Sequence, residues 1–292
     1  MPQNGSRILI CILFFGWISI PAVRSETVRV VGSDSVGRIL NLESSEVVES
    51  LTVSYQMSGS LAGLIKLREG YADVAFVLQT NEGHPVMDGL NVIPLGYWSL
   101  FLVVHEDNPL IEVSMKEVQQ LFEKTNDGLK SEWGTLLPDD PKWNNRSIFF
   151  TVDVETEDPS YPLFVEEFFG GERPQKLSSF GDKLDNPYLA GPSNLLIMSR
   201  LPELGKGLRT VALIEDGKEF GYPPTSENLH FGDYPLRASL YMVVPEVKSE
   251  EVRAYVRYFW GSGRLNSLYA SGLIPVPENV QNQALLEFDL EF

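Results

Sequence analysis

Two short turns carry the residue types best suited to holding a small anion. Gly32-Ser33-Asp34-Ser35-Val36 and Ser58-Gly59-Ser60 each put small hydroxyl residues directly ahead of a stretch whose apolar spacing predicts a helix. The first N–H groups of a helix have no intrahelical partner, and the helix end carries about half a unit of positive charge. Serine and glycine placed there can bind an oxyanion without any Lys or Arg. The same serines could instead serve as ordinary N-caps for the helices they precede. Ser160 stands ahead of a further apolar stretch, Leu163–Phe169. Its neighbours Asp153, Glu155, Glu157 and Asp158 are all carboxylates, and Asp158 followed by Pro159 is itself a good cap.

Other chemistries find little material. His84, His105 and His230 are far apart and Cys11 is the only cysteine, so zinc and iron–sulfur sites are not indicated. Asp153, Glu155 and Glu157 would share one face of a strand. No loop of calcium-hand spacing accompanies them, so a solvated edge is the plainer reading. Gly59-Ser60-Leu61-Ala62-Gly63 lacks the spacing of a hydrolase nucleophile elbow, and phosphate-loop and dinucleotide glycine patterns are missing. Neither an enzyme nor a cofactor is expected.

The elements that must position the turns follow an α/β rhythm. Thr27–Val31 and Leu51–Tyr55 alternate like strands, and Asp73–Leu78 reads as a buried third strand. Between them lie a helix through Val36, Ile39 and Leu40, and a second with Leu61, Leu64, Ile65 and Leu67 assigned to one face and Gly70 at its end. Strand, helix, strand, helix, strand predicts a largely parallel sheet, with both serine turns at the carboxyl ends of strands, where such sheets bind ligands. Further on, Trp98–His105 is a long apolar run, Ser114-Met115-Lys116-Glu117 is a capping box, and Thr210–Ile214 and Ser239–Val244 are strand candidates. The last helix is expected over about Glu250–Trp260. The chain is expected to form two α/β lobes with a cleft between them, crossing near Trp98–His105 and again near Leu236–Val244. The expected divisions are 26–104 and 237–292 for the first lobe and 105–236 for the second.

The 292 residues are 43% apolar, and 40 acidic residues outweigh 23 basic ones to give a formal charge of -17. A surface this acidic argues against nucleic acid and anionic membrane as partners. At the amino end, Arg7 precedes thirteen uncharged residues, Ile8–Ile20, and small residues up to Ser25. This is the pattern of a secretory signal peptide over 1–25, and the apolar stretch is too short for roughly 30 Å of hydrocarbon. Export to the periplasm or another extracytoplasmic space is expected.

Taken in order, these segments resemble the phosphate-type extracytoplasmic solute-binding proteins of ABC transporters. The first turn, the second turn with its helix and Ala72-Asp73-Val74-Ala75, the Asp107-Asn108-Pro109 segment and Ser114–Phe122 with Trp133 match the family's order. So do Asp233-Tyr234-Pro235-Leu236 and Ser271-Gly272-Leu273-Ile274-Pro275. The resemblance implies a hinged two-lobed fold of the periplasmic-binding-protein type (type II), a small phosphate-like anion as ligand and a membrane permease or other envelope protein as partner. It places ligand contacts at Ser35, the Val36 N–H and Ser60, flanked by Ser33, Asp34, Ser58 and Gly59, with Ser160 as the second lobe's contribution.

The match breaks at two places. Val77-Leu78-Gln79 stands where the family has Ser, Arg or Asp, and the second-lobe Arg and Ser-Gly-Thr turn are replaced by the acidic stretch around Ser160. Charge-assisted hydrogen bonds contribute about 1.5–3 kcal/mol each, so the loss would be several kcal/mol unless Arg38, Arg200 or Arg237 supplied the charge. Arg237 lies one position from the family's arginine. The alternative expectation is an interaction or sensory module that keeps the fold without binding a solute.

Overall fold

The computed structural model describes residues 27–48, 51–80, 88–126, 130–172, 191–203 and 206–290. The expected signal peptide over 1–25, with Cys11, and His84 lie outside these residues. The first part of the chain runs β1 (Thr27–Gly32), α1 (Asp34–Ile39), β2 (Ser45–Val48), β3 (Leu51–Gln56), α2 (Ser60–Arg68), β4 (Val74–Thr80) and β5 (Leu90–Ser99). The middle part is β6 (Phe101–His105), β7 (Glu112–Ser114), α3 (Met115–Asn126), a 3-10 turn at Trp133–Thr135, β8 (Phe149–Asp153), α4 (Tyr161–Phe169), β9 (Asn194–Met198), β10 (Leu208–Thr210), β11 (Ala212–Ile214) and α5 (Ser226–Phe231). The end is β12 (Arg237–Pro245), α6 (Glu250–Gly261), α7 (Arg264–Ala270), β13 (Ile274–Pro275) and α8 (Glu278–Leu290).

These strands form two main sheets. The first has seven strands in the order β13-β5-β12-β4-β1-β3-β2, and the second four, β10-β6-β9-β8, with β11 and β7 paired separately. β1 lies parallel to both β3 and β4, as the opening rhythm predicts. β12 runs antiparallel between β4 and β5, and β2 is an antiparallel edge strand, so the sheet is mixed rather than parallel throughout. The apolar run at Trp98–His105 is two strands: β5 ends in the first sheet, Leu100 passes between, and β6 starts the second. Thr210–Ile214 divides in the same way, because Val211 turns the chain from β10 beside β6 to β11 beside β7.

The first sheet is covered on both faces, which explains its continuous apolar strands. Val28, Val30, Phe76 and Met242 pack with Val252, Tyr255 and Phe259 of α6 and Leu265 and Leu268 of α7. On the opposite face Val31, Ala75, Val77 and Val243 pack with Leu64 and Leu67 of α2. Leu61 and Ile65 were expected to share that face but are 71% and 47% exposed. The reason is contact distance: α2 lies so close to β1 that glycine 63 fills the position facing the strand, which rotates Leu61 and Ile65 outward. Two helices also follow α6, where the apolar spacing marked it as the last. In the second lobe Phe122 of α3 is ringed by Phe150, Phe164, Phe168 and Phe169 at 5.0–5.8 Å, so α3 and α4 share one core. The capping box starting α3 is present, with Ser114 Oγ accepting from the Glu117 N–H at 3.2 Å and Glu117 Oε2 accepting from the Ser114 N–H at 2.9 Å.

Candidate functional site

The two serine turns meet at one edge of the first sheet. The register Val31↔Gln56 brings the carboxyl ends of β1 and β3 to the same level, so the turns that follow are neighbours, and Gly32↔Phe76 sets them beside β4, which runs on past them. Backbone bonds lock them together: the Gly59 N–H donates to Gly32 O at 2.8 Å, and the Ser33 N–H to Phe76 O at 2.8 Å. Two glycines make this possible. Gly32 and Gly59 have φ of +123° and +114°, which side chains rarely adopt, and a Cβ on Gly32 would lie 2.0 Å from Phe76 O. A Cβ on glycine 63 would lie 2.6 Å from Gly32 Cα, so its absence lets the start of α2 sit directly against the end of β1.

The serines in these turns are not ordinary caps. Thr225 and Ser249, which do cap α5 and α6, accept from the N–H groups of Asn228 and Val252. Ser33 and Gly59, the capping positions of α1 and α2, make no side-chain cap bond. Ser35 lies two residues beyond Ser33 and Ser60 one beyond Gly59, both inside the first turns, and each accepts a bond. Ser60 Oγ accepts from the Leu78 N–H at 2.9 Å, and Ser35 Oγ from Arg38 Nη2 at 3.2 Å. A hydroxyl has one proton and two lone pairs, so each serine remains able to donate. The N–H groups of Asp34, Ser35 and Val36, and of Ser60, Leu61 and Ala62, have no acceptor within their own helices, which begin with bonds from Gly37 to Ser33 and Gly63 to Gly59.

Exposure sorts the candidates. Ser58 is exposed, Gly59 and Ser60 are half-buried, and Ser33 and Ser35 are buried. Val36 supplies only its N–H, since its side chain is fully buried in the sheet core. Asp34 is exposed in the first turn of α1, where its carboxylate already complements the helix dipole. Arg38 is exposed, and no carboxylate of the described residues pairs with it. It also lines a cavity of about 430 Å³ with Asp34, Gly37, Tyr55 and Met57. In the sequence Arg38 is one of three arginines able to supply the charge. The three-residue step from Ser35, one helical turn, is the signal that singles it out.

Leu78 contributes here through its backbone, which explains how an apolar residue can occupy a position adjoining the turn. Its N–H holds Ser60, while its side chain packs into the core. The second lobe is different. Ser160 is fully buried, and both its N–H and its hydroxyl donate to Asp158 Oδ1, at 2.9 and 2.5 Å. The carboxylate therefore ties down Ser160, the capping position of α4, rather than the first N–H groups of the helix itself. β8 ends at Asp153, so Glu155 and Glu157 belong to the following turn rather than to one strand face. Among the described residues no three His, Cys, Asp or Glu gather to hold a metal ion. Arg237 is committed elsewhere, donating to Leu229 O and His230 O, and Arg200 is exposed.

No family model and no curated protein matches the chain. Solved structures do. A possible phosphate-binding protein of Planctomyces limnophilus superposes with a TM-score of 0.61 at 14% identity, over 92% of this chain and 99% of its own. PstS of Borrelia burgdorferi gives 0.57 at 15% identity, over 86% and 99%. An ABC-type phosphate transport receptor of Vibrio cholerae gives 0.55 at 18%, over 85% and 99%. These similar structures are binding proteins. At such identities the likeness establishes architecture: this chain has the two-lobed α/β fold seen in the phosphate-binding proteins of that group.

Proposed function

We propose that the protein is an exported solute-binding protein that holds a small oxyanion at the paired turns of its first lobe and presents it to a membrane permease. The contacts are the hydroxyls of Ser35 and Ser60 and the N–H groups of Val36 and Ser60 beside them. Arg38 supplies positive charge. The observation that carries this reading is that both hydroxyls accept from internal donors, Arg38 and Leu78, and so keep their protons for a ligand. The likeness to a phosphate transport receptor and to a possible phosphate-binding protein supports an anion as the ligand class. No helix among the described residues is long and apolar enough to cross a membrane.

Calorimetric titration of the purified protein with phosphate, sulfate, molybdate and tungstate tests the reading. Saturable heat with at least one of them, lost in Ser35→Ala/Ser60→Ala, is the expected result. Absence of heat and of any thermal shift with all four would overturn it.

One observation favours a second reading. Ser160 is sealed against Asp158 in an acidic stretch, so it offers no clamp for an anion from the second lobe. A fold retained for interaction or sensing, with solute binding lost, fits that feature. It predicts unchanged small-angle scattering when anions are added, together with stable capture of an envelope protein partner.

A further inference from the structure

The two chain segments that pass between the lobes are bonded to each other. Ser99 Oγ and the Leu100 N–H both donate to Leu236 O, at 2.5 and 3.1 Å, and the Tyr234 hydroxyl donates to Leu100 O at 3.0 Å. Beside this hinge lies α5, whose Leu229 packs in the second lobe's core with Leu213, Phe164 and Ile197. α5 also reaches the first sheet at two points. Ser226 Oγ donates to Pro275 O of β13 at 2.7 Å, and the Tyr97 hydroxyl of β5 lies 2.7 Å from His230 Nδ1. Arg237, the first residue of β12, donates to the carbonyls of Leu229 and His230, and its guanidinium lies 5.7 Å from the centre of the Tyr97 ring.

We propose that the Tyr97–His230 bond is a proton-operated latch at the hinge, closed when the imidazole is neutral and released when it takes up a proton. Tyr97 is buried, so its hydroxyl needs an acceptor, and burial pushes its ionisation well above the ordinary value so that it stays a donor. Nδ1 of His230 accepts only in the neutral ring. Protonation removes that lone pair and sets a second positive charge beside Arg237. A helix C-terminus would normally favour an imidazolium, but Arg237 already holds the last carbonyls of α5. The titratable and charged groups facing the ring are Tyr97 from β5 and Arg237 from β12, with Tyr241 of β12 beside Tyr97. Among the described residues no carboxylate lies within ion-pair distance of His230 or Arg237. Burial, then Arg237, lowers the His230 pKa below its ordinary 6.5. The unfolded chain therefore binds the proton more readily. The latch contributes in full above about 6.5 and is lost as pH falls from there toward the folded value.

The inference depends on the two-lobed fold and not on any ligand, so a failed anion titration leaves it standing. Nitrogen-15 imidazole spectra of the full chain should show His230 as the Nε2–H tautomer near about pH 7.5, with a midpoint below the ordinary value. Scattering dimensions and melting temperature should shift with that midpoint. Tyr97→Phe, which removes the donor to the neutral ring, should raise the His230 midpoint. His230→Asn keeps an acceptor near the Nδ1 position and cannot titrate, so the shift should vanish, while His105→Gln should retain it. An Nδ1–H tautomer, an unmoved midpoint in Tyr97→Phe, a shift surviving His230→Asn, or one abolished by His105→Gln would each overturn the latch.

Discussion

The Leu78 N–H donates to the Ser60 hydroxyl at 2.9 Å, tying β4 to the first residue of α2. This bond gives Ser60 a structural duty beside its proposed one. Ser60→Ala leaves a partly buried N–H without its acceptor, which costs about 1–3 kcal/mol. Ser58→Ala, at an exposed neighbour, should change stability by no more than about 0.5 kcal/mol. Urea unfolding of the two variants side by side checks the difference; equal stabilities would mean the bond is not formed in solution.

The glycines of the paired turns should fail for different reasons. Gly63→Ala puts a methyl 2.6 Å from Gly32 Cα, between two backbones that have nowhere to go, and Gly32→Ala meets Phe76 O at 2.0 Å. Each should destabilise by several kcal/mol or abolish folding, in the range of the more severe overpacking substitutions. A Cβ on Gly59 would meet open space, so Gly59→Ala should fold and lose about 1–3 kcal/mol to its φ of +114° and ψ of 148°. Soluble yield and melting temperature of the three variants separate crowding from backbone strain.

Much of this arrangement was legible in the sequence because it is local. The strand–helix rhythm of the first lobe, the serine turns at strand ends and the Ser114–Glu117 capping box all follow from neighbours in the chain. What was not legible depends on distant contact. α8 sets Val280, Ala284 and Phe288 at four-residue spacing, but Leu285, Leu286 and Leu290 fall off that spacing and its first half is mostly Asn and Gln, so its periodicity is weak. α7 is only seven residues long and starts after a glycine. The exposure of Leu61 and Ile65 follows from the close approach of glycine 63 to β1, and the split of Thr210–Ile214 from two sheets competing for one run. Within the site, Arg38 was within reach of helical spacing. The sealing of Ser160 was foreshadowed by Asp158, whereas the role of the Leu78 N–H depends on two segments eighteen residues apart in sequence.

Arg38 is the sharpest test of how the anion would be held. Its guanidinium contacts Ser35 Oγ from an exposed position, so Arg38→Ala should leave stability within about 0.5 kcal/mol of the parent. A charge-assisted bond lost from an anion site lowers affinity by roughly tenfold to a hundredfold, and Arg38→Lys should recover part of it. Phosphate calorimetry at low and high salt reads both effects. An affinity unchanged in Arg38→Ala would remove this residue from the site.

The edge of the first sheet is fastened by an ion pair spanning most of the chain. Arg264 Nη2, at the start of α7, donates to both oxygens of Glu46 in β2 at 2.7 and 2.6 Å, and the Tyr55 hydroxyl donates to the same carboxylate. The two charged side chains are 15% and 29% exposed, so each is largely removed from water. Burial pushes the Tyr55 phenol far above its ordinary value, which keeps it a donor at any pH the fold tolerates. Arg264→Met would leave Glu46 partly buried with Tyr55 as its remaining donor, and breaking one side of such a pair costs about 3–5 kcal/mol. Replacing both partners, Arg264→Met with Glu46→Leu, removes the stranded charge and should restore most of the loss. A double-mutant cycle in urea therefore should give a coupling energy of at least about 1 kcal/mol. Strict additivity would show that β2 is held by apolar packing and that the ion pair contributes nothing to it.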